Sequence, residues 1–507
     1  MREDYDVAVI GGGINGCGIA RDAAGRGLSV LLVEQSDLAG ATSSASSKLI
    51  HGGLRYLEHY AFRLVHESLT ERNVLMNIAP HLITPLRLVL PHICSMRPAW
   101  LIHCGLWLYD LLAGRRAQNS FPRSRKISLR GTSEGLPLQG MDAAVGFEYY
   151  DCWTDDARLV IANARDAARL GADVLTHTRC VQAAVKNRRW RLQLQNSSEA
   201  AIEVQAKCLI NATGPWAAKF LQHVEEDKSS QKPRPGLRLV QGSHIVVPAL
   251  YEGAHAYLLQ NRDGRVIFTI PYEKNYTLIG TTDRDIQGDP KDARVSSEEV
   301  EYLQDIIHQY FGVVPHDVSY QFCGVRPLVD GLGGDAQKAN RDYVLSLESV
   351  NHAPLLNVYG GKLTTYRKLA ENAINRLVAD GIFAKVKPAW SATRPLPGGD
   401  LPDGGVAVIA KRLTQTEARI TPVHAERLAA AYGSMAAEII PANNDDADKW
   451  RCFGENLFAW EVDYLRQNEW AQEADDILWR RSKLGMHFSP QQRQELVGYM
   501  QRQAEHA

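Results

Sequence analysis

The chain has 507 residues, nearly equal numbers of acidic and basic side chains, and a formal net charge of −1, so no global field favours nucleic acid or an acidic partner. That length is enough for several domains and a large core. Its 8 cysteines are scattered with no C-x-x-C pair, which argues against a disulfide framework or a thiolate zinc site and fits a reducing compartment.

Glu3, Asp4 and Asp6 sit where a cationic region would open a secretory signal, so none is expected. Asp6–Ile10 is a short apolar run and reads as a buried strand. Gly11, Gly13 and Gly16 follow as G-x-G-x-x-G, Ile14–Ala24 reads as a helix, and Gly27–Val33 as a second buried strand ending at Glu34. Each part has a role in holding a dinucleotide. Gly11 allows the tight turn, Gly13 lets backbone approach a pyrophosphate, and Gly16 lets the helix pack on the sheet. The helix N-terminus offers free N–H groups to phosphate. Glu34 suits a ribose and would repel a 2′-phosphate. The competing reading is an ordinary tight turn. The presence of every part at the expected spacing favours the dinucleotide.

Hydroxyls crowd Gly40–Lys48, with Thr42, Ser43, Ser44 and Ser47 among them, and paired glycines break Leu49–Glu58. This loop leaves the carboxyl end of the second strand, where ligands of open α/β sheets bind. It reads as a wrap of small donors around a cofactor. Arg55 and Tyr56, directly after Gly52-Gly53, offer a guanidinium and a phenol to an anion.

Leu57–Ile78 is expected to be one helix and Pro80–Pro91 a broken apolar segment. Pro98–Leu112 is a helix rich in Trp and Leu. Its uncharged stretch is shorter than the roughly 20 residues a membrane span requires. Arg115, Arg116, Arg123, Arg125, Lys126 and Arg130 follow. Two readings stand: a monotopic membrane anchor with interfacial rings and cations for anionic lipid, or a core helix followed by a solvated loop.

Phe147–Trp153 leads into a helix whose N-terminus Asp155 and Asp156 complement. Val174–Thr178, Cys180–Val185 and Trp190–Gln195 read as strands. Ala206–Trp216 reads as a late parallel strand returning to the cofactor sheet. From Arg238 to Asp283 the pattern becomes an antiparallel sheet with a hairpin at Asp263-Gly264. Ser296–Tyr310 is helical, and Phe322–Leu328 is a strand carrying Arg326. Leu355–Ile374 is a second strand–glycine–helix unit, whose helix end would stabilise negative charge on a reduced flavin ring. Pro388–Gly405 reads as a linker, and the rest as amphipathic helices, including Trp470–Gly485.

These elements predict an α/β chain with a discontinuous Rossmann-like FAD-binding domain (residues 1–75, 145–235 and 340–387). An inserted antiparallel-sheet substrate domain (76–144 and 236–339), a linker (388–405) and a helical C-terminal domain (406–507) complete it. Such long interruption favours a permanently buried flavin over a nicotinamide that leaves each cycle.

Several stretches also resemble one family. They are Ile10–Gly16, Ala41–Glu58, Asn211–Trp216, Gly242–Pro248, Gly324–Leu328, Gly360–Lys368 and, in the C-terminal part, Asp475–Gly485. At these residues the chain looks like the bacterial aerobic, FAD-dependent glycerol-3-phosphate dehydrogenases. The resemblance implies FAD held by Gly11, Gly13, Asn15, Gly16, Glu34, Thr42, Ser43, Ser44, Ser47, Gly214, Gly361 and Thr364. It implies glycerol 3-phosphate bound by Arg55, Tyr56 and Lys362 and oxidised to dihydroxyacetone phosphate. Electrons would pass to a membrane quinone, with the protein peripheral on an anionic lipid surface at the cytoplasmic face of the inner membrane; the sequence leaves the oligomeric state open, a homodimer being one alternative. His244 is the best base by residue type. Arg326 would stabilise charge developing on the substrate oxygen. Structural readings compete: a satisfied sheet histidine and an arginine paired to an acid. Competing functions are a flavin enzyme acting on an amine or 2-hydroxy acid, a glycerol-3-phosphate oxidase using oxygen, and a non-catalytic flavin-binding adaptor. No metal is expected.

Overall fold

In the computed structural model the described residues are 1–93, 97–118, 121–142, 144–196, 201–225, 234–329, 342–441 and 446–505, and the side chains of 115–118, Arg115 and Arg116 included, and of 504–505 lie outside them. The strand Asp4–Ile10 is almost wholly buried, which its continuous apolar run requires of a strand covered on both faces. It lies inside an 8-stranded sheet. The main path runs Val344–Val350, Ala353–Tyr359, Ala201–Asn211, Asp4–Ile10, Val30–Val33, Asp173–Leu175. All neighbours on that path are parallel except the first pair. The return of Ala201–Asn211 beside the first strand, with Ile10 opposite Asn211, is the crossover the sequence pattern predicted. Helices Ile14–Gly25, Asp156–Arg169 and Tyr366–Ala379 bury Ala20, Leu159 and Leu369 in one core with Val7 and Val9.

That register brings two chain turns into contact above the sheet. Gly11 has φ +114°, and a Cβ there would lie 2.4 Å from the Ala212 carbonyl oxygen. Only glycine meets both demands.

The second sheet has 10 strands and is mostly antiparallel. Leu237–Pro248 pairs with Tyr320–Val329 on one side and with Tyr276–Gly280 on the other. The hairpin expected at Asp263-Gly264 joins Ala256–Gln260 to Val266–Tyr272. Pro80–Pro91 differs from its expected reading, because Ile83–Pro91 is a strand of this sheet. It pairs with Val145–Thr154 throughout, but only Leu88 and Val89 meet a strand on the other side. Pro85 thus sits where one edge is open, a position that tolerates a missing N–H. The helix expected from Leu57 begins instead at Phe62, after a tight turn over Leu54–His59 closed by Tyr60 at φ +57°.

The helix Ala99–Gln118 is buried along one face only. Ile102, Leu106 and Tyr109 are buried in the core of the second sheet. Trp100, Leu101, Trp107 and Leu111 face outward, with Trp100 68% and Trp107 64% exposed. Among the described residues no helix is long and apolar enough to cross a membrane.

Residues beyond the proline-rich linker build a helical layer with its own core around Leu428, Trp460, Leu465 and Leu496. Here Trp470–Gly485 departs from the expected amphipathic helix. Trp470 at φ +57° ends the helix Ala459–Glu469, and Asp476–Arg481 is a wide helical turn followed by a tight one over Leu484–Met486. Its cations do not face solvent. Arg480 and Arg481 both pair with Asp37, just past the second strand of the cofactor sheet, and Arg481 Nη2 lies 2.7 Å from Asp37 Oδ1.

Candidate active site

One cavity of about 1210 Å³ runs from Glu34 at the cofactor sheet, between the two sheets, to the C-terminal layer. Its lining includes every residue assigned above to cofactor, substrate or chemistry except Gly16. Gly16 instead packs against the turn, where a Cβ would lie 1.8 Å from the Gly11 carbonyl oxygen.

The dinucleotide end is built from backbone and hydroxyl groups. Glu34 accepts from the Gly12 amide at 2.6 Å and from Ser36, which fixes its carboxylate at the glycine turn. Ser43 Oγ accepts from the Ile14 amide at 3.0 Å, so the hydroxyl loop meets the helix N-terminus. Thr42 Oγ1 donates to the Val325 carbonyl at 2.7 Å and ties that loop to the second sheet. Asn15 Nδ2 donates to the Gly360 carbonyl at 3.2 Å, while its Oδ1 is buried and unsatisfied. The N-terminal motif and the second strand–glycine–helix unit therefore share one site. Thr364 contributes a hydroxyl from the turn that opens that second helix, hydrogen-bonded to the backbone of His51. Small donors, two helix ends and a ribose-type acid lining one cleft suit an FAD.

The other end is made by the second sheet. His244 stands on Leu237–Pro248 directly opposite Phe322, and Arg326 stands opposite Val240. Residues two apart share a face, so His244 and Arg326 point to the same side, separated by Gly242 and Gly324. Both side chains depend on missing neighbours. A Cβ on Gly280 would come within 2.1 Å of His244 Cδ2, and one on Gly242 within 2.3 Å of the Arg326 guanidinium.

His244 is 2% exposed. Its Nε2 lies 2.9 Å from Ser47 Oγ and its Nδ1 has no hydrogen-bond partner, so it is not the fully satisfied sheet histidine of the structural reading. Its ring stacks on Phe322 at 4.9 Å between centroids. Burial, and then the charges of Arg326 and Lys48, hold the imidazole well below the ordinary histidine pKa, which keeps it neutral. Arg326 does pair with an acid, Asp283, and donates to Thr281 Oγ1 at 3.0 Å. About a third of its side chain stays exposed to the cavity. The pair thus orients the guanidinium without withdrawing it.

Lys362 follows Gly361 and sits before the turn Leu363–Thr365. Its Nζ lies 4.0 Å from the centroid of Tyr56, so folding brings together two residues 306 positions apart. Arg55 lines the same cavity.

Lys48, Asp156, Trp479 and Lys483 were not anticipated at this site. The first signal was available, since Lys48 ends the hydroxyl loop. Asp155 does cap its helix, accepting from the Arg158 amide at 3.0 Å. The expected role of the two acids was too narrow, because Asp155 also pairs with Lys483 and Asp156 with Lys48. No sequence spacing connects these partners.

Two family models cover most of the chain: FAD dependent oxidoreductase over residues 6–367, and the C-terminal domain of alpha-glycerophosphate oxidase over residues 390–503. The chain is 50% identical to a glycerol-3-phosphate dehydrogenase of Pseudomonas aeruginosa, over 100% of its own length and 97% of the relative's. It is 44% identical to a D-erythritol 1-phosphate dehydrogenase of Brucella abortus, over 98% and 97%. A solved glycerol-3-phosphate dehydrogenase from Bacillus halodurans, complexed with FAD, superposes with a TM-score of 0.73 at 23% identity, covering 99% of this chain and 94% of that one.

Proposed function

Since this chain belongs to the FAD-dependent oxidoreductases and, within them, to the glycerol-3-phosphate dehydrogenase family, we propose that it oxidises sn-glycerol 3-phosphate to dihydroxyacetone phosphate and that its electrons pass to a membrane quinone. The observation that carries the reading is the placement on one sheet face of a buried imidazole and an oriented guanidinium, with Lys362, Tyr56 and Arg55 lining the same cavity.

The residues divide the work. Gly11, Gly13, Asn15, Gly16, Glu34, Thr42, Ser43, Ser44, Ser47, Gly214, Gly361 and Thr364 hold FAD, which supplies the two-electron acceptor. Arg55, Lys362 and Tyr56 hold the phosphate dianion, where each charge-assisted hydrogen bond contributes about 1.5–3 kcal/mol. His244 takes the hydroxyl proton of C2 as hydride leaves the same carbon. Arg326 faces the oxygen as it becomes a carbonyl, and being fixed by Asp283 it needs no reorganisation. A carboxylate substrate would use a pair of cations. The further cation at Lys362 suits a dianion better.

An anaerobic visible spectrum tests this reading. Addition of sn-glycerol 3-phosphate is expected to bleach the flavin band, while glycerol and glycine leave it unchanged. Bleaching by glycine instead would move the protein to the amine oxidases. The similarity to the D-erythritol 1-phosphate enzyme makes that compound the second substrate to compare, and a higher kcat/KM for it would replace the triol phosphate by the tetrol phosphate.

A peripheral position on the cytoplasmic face of the inner membrane belongs to the same reading. The outward Trp100, Leu101, Trp107 and Leu111, with exposed Arg123, Arg125, Lys126 and Arg130 following, support it. Arg125 is already paired with Glu148, so the apolar rings carry more of the expected binding than that cation. Trp100→Ser/Trp107→Ser is expected to abolish sedimentation with liposomes containing anionic lipid. Unchanged sedimentation would remove this helix from the membrane contact.

A further inference from the structure

Lys48 is 2% exposed, an unusual position for a lysine, and it lies beside the reacting groups. Its Nζ sits 2.8 Å from both carboxylate oxygens of Asp156 and 2.6 Å from the Ser44 carbonyl oxygen. The same carboxylate accepts from Ser46 Oγ at 2.7 Å. Ser47 is thus clamped between two anchored neighbours, and its hydroxyl is the one that reaches His244 Nε2. A second contact leads to the same ring. Lys48 Nζ lies 5.2 Å from the centroid of Phe322, and Phe322 stacks on His244.

The C-terminal layer closes this arrangement from outside. Lys483, 4% exposed, pairs with Asp155, the residue before Asp156. Two cations and two carboxylates therefore form two neighbouring ion pairs in a buried cluster drawn from three separate chain regions. Four residues earlier, Trp479 stacks on Tyr320 at 4.3 Å, and Tyr320 is 6.0 Å from Phe322.

From this geometry we infer that Lys48 is a positioning residue for His244, balanced by Asp156 and by the Asp155–Lys483 pair, so that the C-terminal domain takes part in proton removal. The inference rests on His244 being the base, as proposed above. Buried ion pairs are weak evidence for stability. Here the pair has a second task. It directs Ser47 at Nε2, and its Lys48 charge, moderated by Asp156, favours neutral imidazole in addition to burial and the Arg326 charge. The charged groups around His244 are Arg326 and Asp283 from the paired strand region, Lys48 from the hydroxyl loop, and Asp155 and Asp156 from the helix start. Behind them are Lys483 from the C-terminal layer and Glu273, whose carboxyl interacts with both lysines.

The test uses full-length, FAD-loaded protein and the pH profile of flavin bleaching by sn-glycerol 3-phosphate under anaerobic conditions. Lys48→Met removes a cation near the base, so the acidic limb of the limiting bleaching rate at saturating substrate, which is free of the ionisation of unbound substrate phosphate, should rise by about half to one pH unit. Asp156→Asn keeps the shape but leaves Lys48 uncompensated. At the acidic end, where Lys48 is protonated, the limb should fall. Lys483→Met should lower the bleaching rate about tenfold with flavin content unchanged, and Lys483→Arg should restore most of it. If Lys48→Met fails to hold flavin, the isosteric Asp156→Asn and the Lys483 pair decide the matter. Limbs that coincide with the parent enzyme in Lys48→Met and Asp156→Asn, or, where Lys48→Met is lost, a coinciding limb in Asp156→Asn together with an unchanged rate in Lys483→Met, overturn the inference, provided that His244→Ala abolishes the limb. A limb that survives His244→Ala overturns the assignment of the base itself.

Discussion

His244→Ala is expected to leave FAD bound and to slow flavin bleaching by sn-glycerol 3-phosphate by 10² to 10⁴, the range over which a positioned general base acts. The fold should survive, since the ring's hydrogen bond is to one hydroxyl, Ser47, and its Nδ1 bonds to nothing. The pH dependence carries the sharper signature. Burial, Arg326 and Lys48 lower the pKa of His244. A base is active when neutral, so activity persists down through the ordinary histidine range and is lost only as the pH falls through that lowered value. Single-turnover bleaching across pH measures both. A variant with full rate and an unchanged profile would return His244 to a purely structural role.

Arg326→Met should lower kcat and kcat/KM together by about 10² to 10³, because its interaction grows as charge develops on the substrate oxygen. A rise in KM at constant kcat would instead mark Arg326 as a phosphate anchor, alongside Arg55 and Lys362. The substitution has a second consequence of opposite origin. Removing this cation from beside His244 raises the imidazole pKa, so the acidic limb of the profile should move upward toward the ordinary value near 6.5. The cost in stability should be small. Asp283 is left without its partner, but its side chain is 34% exposed and water can solvate it.

Much of the site was legible because it depends on local geometry. Gly11 is demanded by a turn at φ +114° and Gly16 by contact with that turn, so the glycine spacing reports the backbone directly. Thr42 and Ser43 sit in a loop whose position after the second strand fixes where it lies relative to the helix end at Ile14, 29 residues upstream. The single strand carrying His244 and the one carrying Arg326 were each visible as apolar runs. Their mutual register was not, since it is set by cross-strand packing over a separation of 82 residues.

Residues beyond reach of the sequence are those whose partners come from distant segments. Asp155-Asp156 looks like helix capping from its neighbours alone, and only folding brings Lys48 and Lys483 to it. The segment Asp476–Arg481 has a helical pattern, yet the pull of Asp37 on Arg480 and Arg481 and the stacking of Trp479 on Tyr320 shape it into a wall of the cavity. Pro80–Pro91 reads as a broken segment although Ile83–Pro91 is a strand, because a proline's tolerance in a strand depends on which edge is unpaired, a property of the sheet and not of the strand. The sequence by itself determined the glycine turn of the cofactor cradle, because the positive φ of Gly11 and the contact of Gly16 with that turn lie within a few residues of each other, whereas the approach of Ala212 and Gly360 came only with folding. The tertiary structure alone decided which buried charges compensate one another around His244, because low-dielectric pairing acts through space.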